Sequence, residues 1–191
     1  MKNIFLSFRP EFFRPILYDI KKYEYRKRFL KEESIAYLYL SAPVQEVIGI
    51  MILGKAIMTE EIKETYKNRP LVYERLNKAS AGKEKYIIPI ISLKLFEKSV
   101  TKAELEVNDK KFNVPHCYFN LENYPKTFNF LKEQITMDAE FLNDHANVFE
   151  NNLGMTCAEM ELTKEFIEKD RKYINDIKYK HIKSGYINRR R

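Results

Sequence analysis

Five stretches of this chain change character at every second residue. Residues 3–9 set Ile4, Leu6 and Phe8 against Phe5, Ser7 and Arg9. Residues 34–41 set Ile35, Tyr37, Tyr39 and Ser41 against Ala36, Leu38 and Leu40. The others are 22–28, 46–57 and 86–96. A period of two belongs to the β-strand, whose successive side chains point to opposite faces. The five runs therefore predict strands of one sheet. Residues 46–58 are apolar on both faces, with Gly49 and Gly54 as points of bulging or close backbone approach. Pro10 and Pro43 close two runs, and Pro89 marks an edge or a bulge in another.

Helical patterns fill the intervals. Phe13, Ile16, Leu17 and Ile20 share one side of a short helix that holds Pro15 in its first turn. Thr59 is placed to cap a helix whose Glu60 and Glu61 suit its dipole. A second helix starts near Pro70 and stops at the Ser80–Glu84 stretch. Residues 102–114 read as strand, turn at Asn108-Asp109, and strand. Residues 115–125 read as irregular and aromatic; Tyr118, Phe119 and Tyr124 are expected mainly in core packing, with base stacking as the alternative use. From about 126 the period becomes helical, through 126–135 and 138–150. Thr156 with Glu159 forms a capping-box pattern. Beyond it Leu162, Phe166, Tyr173 and Ile177 fall on one helical face, with Met160, Ile167 and Ile174 alongside. The division is a β-rich body over 1–125 and a helical extension over 126–191.

Charge is concentrated at the ends. Of 191 residues, 34 are Lys or Arg and 27 are Asp or Glu, a net of +7. Residues 1–31 hold nine cations and three carboxylates, and residues 171–191 hold eight and one. The middle is acidic. Such concentrated positive charge points to a phosphate-bearing partner. No apolar run approaches the ~20 residues of a membrane span, and the first residues lack the pattern of a signal peptide. Cys117 and Cys157 are isolated, which favours inert thiols and a reducing, cytoplasmic setting. His116, His145 and His181 are scattered without metal-ligand spacing. Neither a metal nor a cofactor is expected, and no phosphate-binding glycine motif is present.

The densest feature is Lys21–Arg28, "KKYEYRKR", in which Glu24 sits among five cations. Alternation puts Lys22, Glu24, Arg26 and Arg28 on one face and Tyr23, Tyr25 and Lys27 on the other. A carboxylate between cations stays ionised. It can close an ion pair with Arg26, or accept hydrogen bonds from a ligand's N–H groups.

Strand, "RPEFF", helix, "DIKKYEYR" and "YLYLSAPVQEVIG" together resemble the ASCH domain, a branch of the PUA-like barrels. That family's motif is Gly-x-Lys-x-x-Glu-x-Arg; Lys21, Glu24 and Arg26 fill its last three named positions. Asp19 stands in the place of the Gly, at a turn where left-handed backbone is often needed and Asp tolerates it. Ser41, Pro43 and Gly49 fit the hairpin that follows. The resemblance covers about residues 1–125. It implies an α+β fold: a small mixed β-barrel with flanking helices, here followed by a helical C-terminal region. It also implies a cleft, lined by the motif, that receives RNA or a nucleobase-like ligand. Lys21 is expected at its lip.

The leading expectation is thus a nucleic-acid-binding module, with RNA or a nucleotide as partner. Ser7, Arg9, Lys21, Lys22, Glu24, Arg26, Arg28 and Ser41 are its candidate contacts. The rival is an enzyme, either a nuclease or a hydrolase of a modified nucleoside. Some proteins resembling the family are amidohydrolases of acetylated cytidine, using a Lys and a hydroxyl residue. A Thr there takes the place of Glu24. An enzyme would use Lys21, with a pKa lowered by its neighbouring cations, and Glu24, with Ser7 or Ser41 as the hydroxyl. A third expectation is an interaction protein, forming a homodimer through its C-terminal helix.

Overall fold

The computed structural model describes residues 1–143 and 150–173. The chain runs β1 (Lys2–Phe8), α1 (Pro10–Leu17), β2 (Tyr23–Arg26), β3 (Ser34–Leu40) and β4 (Glu46–Leu53). It continues with β5 (Ile57–Met58), α2 (Thr59–Thr65), α3 (Pro70–Ala81), β6 (Tyr86–Thr101), α4 (Lys102–Asn108) and β7 (Tyr118–Asn120). Last come α5 (Pro125–Lys132), β8 (Thr136–Leu142), α6 (Cys157–Glu161) and α7 (Lys164–Tyr173). One curled sheet has the order β2-β6-β4-β3-β1-β7, and β5 and β8 also pair with β6. Among the described strands β1 and β3 alone run parallel, in the register Leu6 to Leu38 and Phe8 to Leu40. The result is an α+β half-barrel with helices around it.

Each of the five alternating runs contains a strand, and β1, β3 and β4 bury apolar residues on both faces, one face in each of two cores. Ile4, Leu6, Leu38, Leu40 and Met51 meet Phe13 and Ile16 of α1 on one face. Phe5, Tyr37, Tyr39 and Val47 meet Leu105 of α4 and Leu131 of α5 on the other. Gly49 is required where β4 crosses β6: a Cβ there would strike the carbonyl oxygen of Lys94. Pro89 lies inside the 16-residue β6, opposite Tyr23 of β2. Its carbonyl accepts from Gly54 N at 2.9 Å, and the β4–β6 register shifts beside it, between Ile52 and Leu53. That bulge lets one long strand serve both β2 and β4.

Four local expectations are corrected. Residues 102–108 form a helix rather than a strand, since Thr101 and Glu104 complete a capping box and Leu105 buries against the second core. Residues 138–142, expected to be helical, belong to β8 and pair with β6, Leu93 opposite Phe141; edge pairing overrides the local pattern. Thr59 is not a cap: it lies in the first turn of α2, where its Oγ1 donates to Glu84 O at 2.7 Å. The long helical stripe is broken into α6 and α7. Met160 and Phe166 are buried, while Leu162, at the break, is 81% exposed. Ile174, Ile177, His145, His181 and most of the basic tail lie outside the described residues. Among the described residues no helix is long and apolar enough to cross a membrane.

Candidate functional site

The site begins at the end of α1. Asp19 takes a left-handed φ of 56°, the backbone expected for this turn. The N–H groups of Ile20 and Lys21 both donate to Pro15 O at 2.9 Å, which turns the chain sharply back. Lys21 is thereby driven into the protein and β2 follows at once, antiparallel to β6 with Glu24 opposite Ile88. Lys21 is 6% exposed and Glu24 5%. Lys21 Nζ donates to Glu24 Oε2 at 2.6 Å, and Arg26 Nε lies 2.7 Å from Glu24 Oε1. Both cations lie over the buried Phe8 ring, with Lys21 Nζ 5.8 Å and the Arg26 guanidinium carbon 5.0 Å from its centroid.

Burial pushes the Glu24 carboxyl up, but Lys21 and Arg26 together outweigh it and hold its pKa below the ordinary carboxylate value. Burial likewise pulls Lys21 down, and the Glu24 charge more than reverses this, so its pKa is raised. Lys21 and Glu24 are therefore both charged across the neutral range. Two expectations are corrected here. Lys21 sits in the floor of the site, not at its lip. Its pKa is raised, not lowered, because the Glu24 charge and hydrogen bond outweigh both burial and the opposing charge of Arg26.

This cluster is the floor of a cleft of about 750 Å³, within the ~300–1,000 Å³ typical of ligand sites. Ser7, Arg9, Lys21, Glu24, Arg26 and Ser41 all line it. The carboxyl ends of the parallel pair β1 and β3 meet there, where Ser41 N donates to Phe8 O at 2.7 Å.

The fold is that of ASCH domains. The crystal structure of a Zymomonas mobilis ASCH protein carrying a Ser-to-Ala mutation matches with a TM-score of 0.52 and 20% identity, over 70% of this chain and 96% of that one. The unmutated protein gives 0.47 and 19%, over 70% and 96%. A Tyr-to-Phe mutant gives 0.47 and 19%, over 70% and 99%. No protein-family model matches the sequence, and no curated protein matches it.

Two of the candidate contacts fall outside this cleft. Lys22 turns away to Asp19 (2.5 Å) and Asn143 (2.8 Å), and Arg28 is exposed beyond β2. Conversely, the cleft takes residues that sequence reasoning did not assign to it. α3 and the turn after it contribute Arg75, Lys78 and Glu84. The segment before β7 contributes His116, and the stretch leading into α6 contributes Thr156 and Cys157. Tyr25, placed by alternation on the face opposite Glu24, also lines the cleft and accepts from Gly154 N at 2.6 Å. That bond fastens the C-terminal wall to β2. The tyrosines Tyr25 and Tyr18 have pKa values raised by burial, Tyr18 to about 12. Phe119 and Tyr124 pack in the second core, and Tyr118 packs against Phe29. Cys157 is pushed up by burial, with Lys21 opposing, as suits an unreactive thiol. Among the described residues no group of three His, Cys, Asp or Glu gathers as metal ligands.

Proposed function

We propose that the cleft binds single-stranded RNA or a nucleotide, and that the chain is an ASCH-type binding module. The observation that carries this is the buried Lys21–Glu24–Arg26 cluster at the floor of an open cleft. Three desolvated charges are costly to assemble. They are worth keeping where fixed donors must face a polar ligand. Arg9, Arg75 and Lys78 at the rim supply positive charge for phosphate, and Arg26 contributes a planar guanidinium to a phosphate or carbonyl oxygen. Phe12, 41% exposed beside Arg9, offers a ring for stacking.

The hydrolase alternative has hydroxyls within the same cleft, at Ser7, Ser41 and Thr156. It asks Lys21 to act as a base or nucleophile, and Glu24 keeps that amine protonated. The cleft therefore favours binding over turnover. On this reading the protein works in the cytoplasm. A second copy, if it docks through the C-terminal helices, meets Leu162 and Ile167, since Phe166 and Met160 are already spent on the core.

Titration of labelled single-stranded RNA at several salt concentrations is the test. About four phosphate contacts give a log–log salt slope of roughly −3. Absence of binding at low salt removes the proposal. Turnover of acetylated cytidine, lost in Lys21→Ala, would replace it with the hydrolase.

A further inference from the structure

The carboxylate left to meet a ligand in this cleft is not Glu24. Both Glu24 oxygens are engaged, one by Lys21 and the other by Arg26. Glu84 lines the same cleft and is half-buried. Among the described residues its carboxylate has no hydrogen bond and no ion pair. Its backbone is fastened on both sides. Lys83 takes a φ of 71°, Glu84 N donates to Ala79 O at 3.1 Å, and Glu84 O accepts from Thr59 Oγ1 at 2.7 Å. Thr59 N in turn donates to Lys85 O at 3.0 Å. The backbone that carries the side chain is thus fixed by a tied turn, while the carboxylate's acceptor capacity is unused. A partly desolvated acceptor without a donor costs free energy that a ligand's donor would recover.

The distribution of charge orients that ligand. The inner cleft balances Lys21 and Arg26 against Glu24 and Glu84. The rim carries Arg9, Arg75 and Lys78 against Glu159. A neutral group suits the interior and an anion suits the rim. Resting on the nucleotide-binding reading above, we propose that Glu84 determines base specificity, accepting from the exocyclic amino group of a nucleobase inserted base-first, with its phosphate at the rim. A base with a carbonyl oxygen at that position brings two acceptors face to face and is rejected.

Calorimetric titration of the protein with CMP, UMP, AMP and IMP tests this. Within each pair, CMP with UMP and AMP with IMP, the base exchanges an amino group for an oxygen and the adjacent ring nitrogen changes from acceptor to N–H donor. The wild type should favour CMP over UMP and AMP over IMP by about tenfold or more, the worth of one good polar base contact. Glu84→Gln, nearly the same shape, gives the oxygen a donor to meet and should erase or invert both preferences. Glu84→Ala should weaken CMP and AMP without improving UMP and IMP. Because Glu84 has no partner among the described residues, both variants should melt like the wild type. A wild type without preference, or a Glu84→Gln protein that retains it, overturns the inference and leaves nucleotide binding standing. A wild type that binds none of the four overturns both.

Discussion

Glu24 is the residue on which the site turns, and its sign as a stabiliser follows from its surroundings. Glu24→Gln leaves Lys21, 6% exposed, without its counter-charge. Breaking a buried pair costs ~3–5 kcal/mol. At ~2–4 °C per kcal/mol for a chain of this size, melting should fall by roughly 10 °C in a thermal scan. Because the folded pKa of Glu24 is lowered, its contribution is complete above the ordinary value of 4.5 and is lost as pH falls through the lower folded value. Lys21 runs the other way: its pKa is raised above 10.5, so its share is complete below that and lost only as pH rises through the folded value. The Glu24→Gln penalty should therefore be constant through neutral pH and shrink in acid. A penalty unchanged well below pH 4.5 would contradict the assignment.

Some of this was legible at the level of single residues. The motif spacing singled out Lys21, Glu24 and Arg26, and the Asp19 substitution marked the left-handed turn that buries Lys21. The depth of Lys21 was not legible. A lysine beside a run of cations looks solvated until the carboxylate opposite is known to share its burial. Glu84, Arg75, Lys78 and Thr156 carried no signal, because only tertiary packing brings their elements to the floor built by β2.

Among elements, the strand pattern was the strongest guide, since a two-residue period survives whatever covers it. It failed where a cap or a sheet edge decided: Thr101 and Glu104 made α4 a helix, and the open edge of β6 drew residues 136–142 into the sheet. Gly49 is the tightest crossing between elements. Gly49→Ala must displace β4 from β6 and should cost ~1–3 kcal/mol, the usual penalty for overpacking, read as a lowered denaturation midpoint. Stability equal to wild type would mean the strands do not cross there. A second check lies between α1 and α7. Tyr18 is held by burial and by its 2.8 Å hydrogen bond to Asp170, which also pairs with Arg14. Tyr39 is also pushed up to about 12 by burial, so ultraviolet titration should find the absorbance step near 12 reduced by one phenol in Tyr18→Phe. Ordinary ionisation of Tyr18 near 10 would show that α7 is not docked.

For the whole molecule, the cleft depends on parts far apart in the chain. The turn after α1, the turn after α3 and the stretch from Gly154 to Cys157 all converge on β2, and the Gly154–Tyr25 bond ties the last of them down. On the proposed reading, a ligand filling this space meets all three. Backbone amide mapping by nuclear magnetic resonance, with a mononucleotide and then a short single-stranded RNA added stepwise, addresses this directly. The account predicts perturbations at Ser7, Tyr25, Glu84 and Thr156 together, saturating with one affinity. Perturbations confined to the basic C-terminal tail, with these four amides unmoved at saturating ligand, would contradict it.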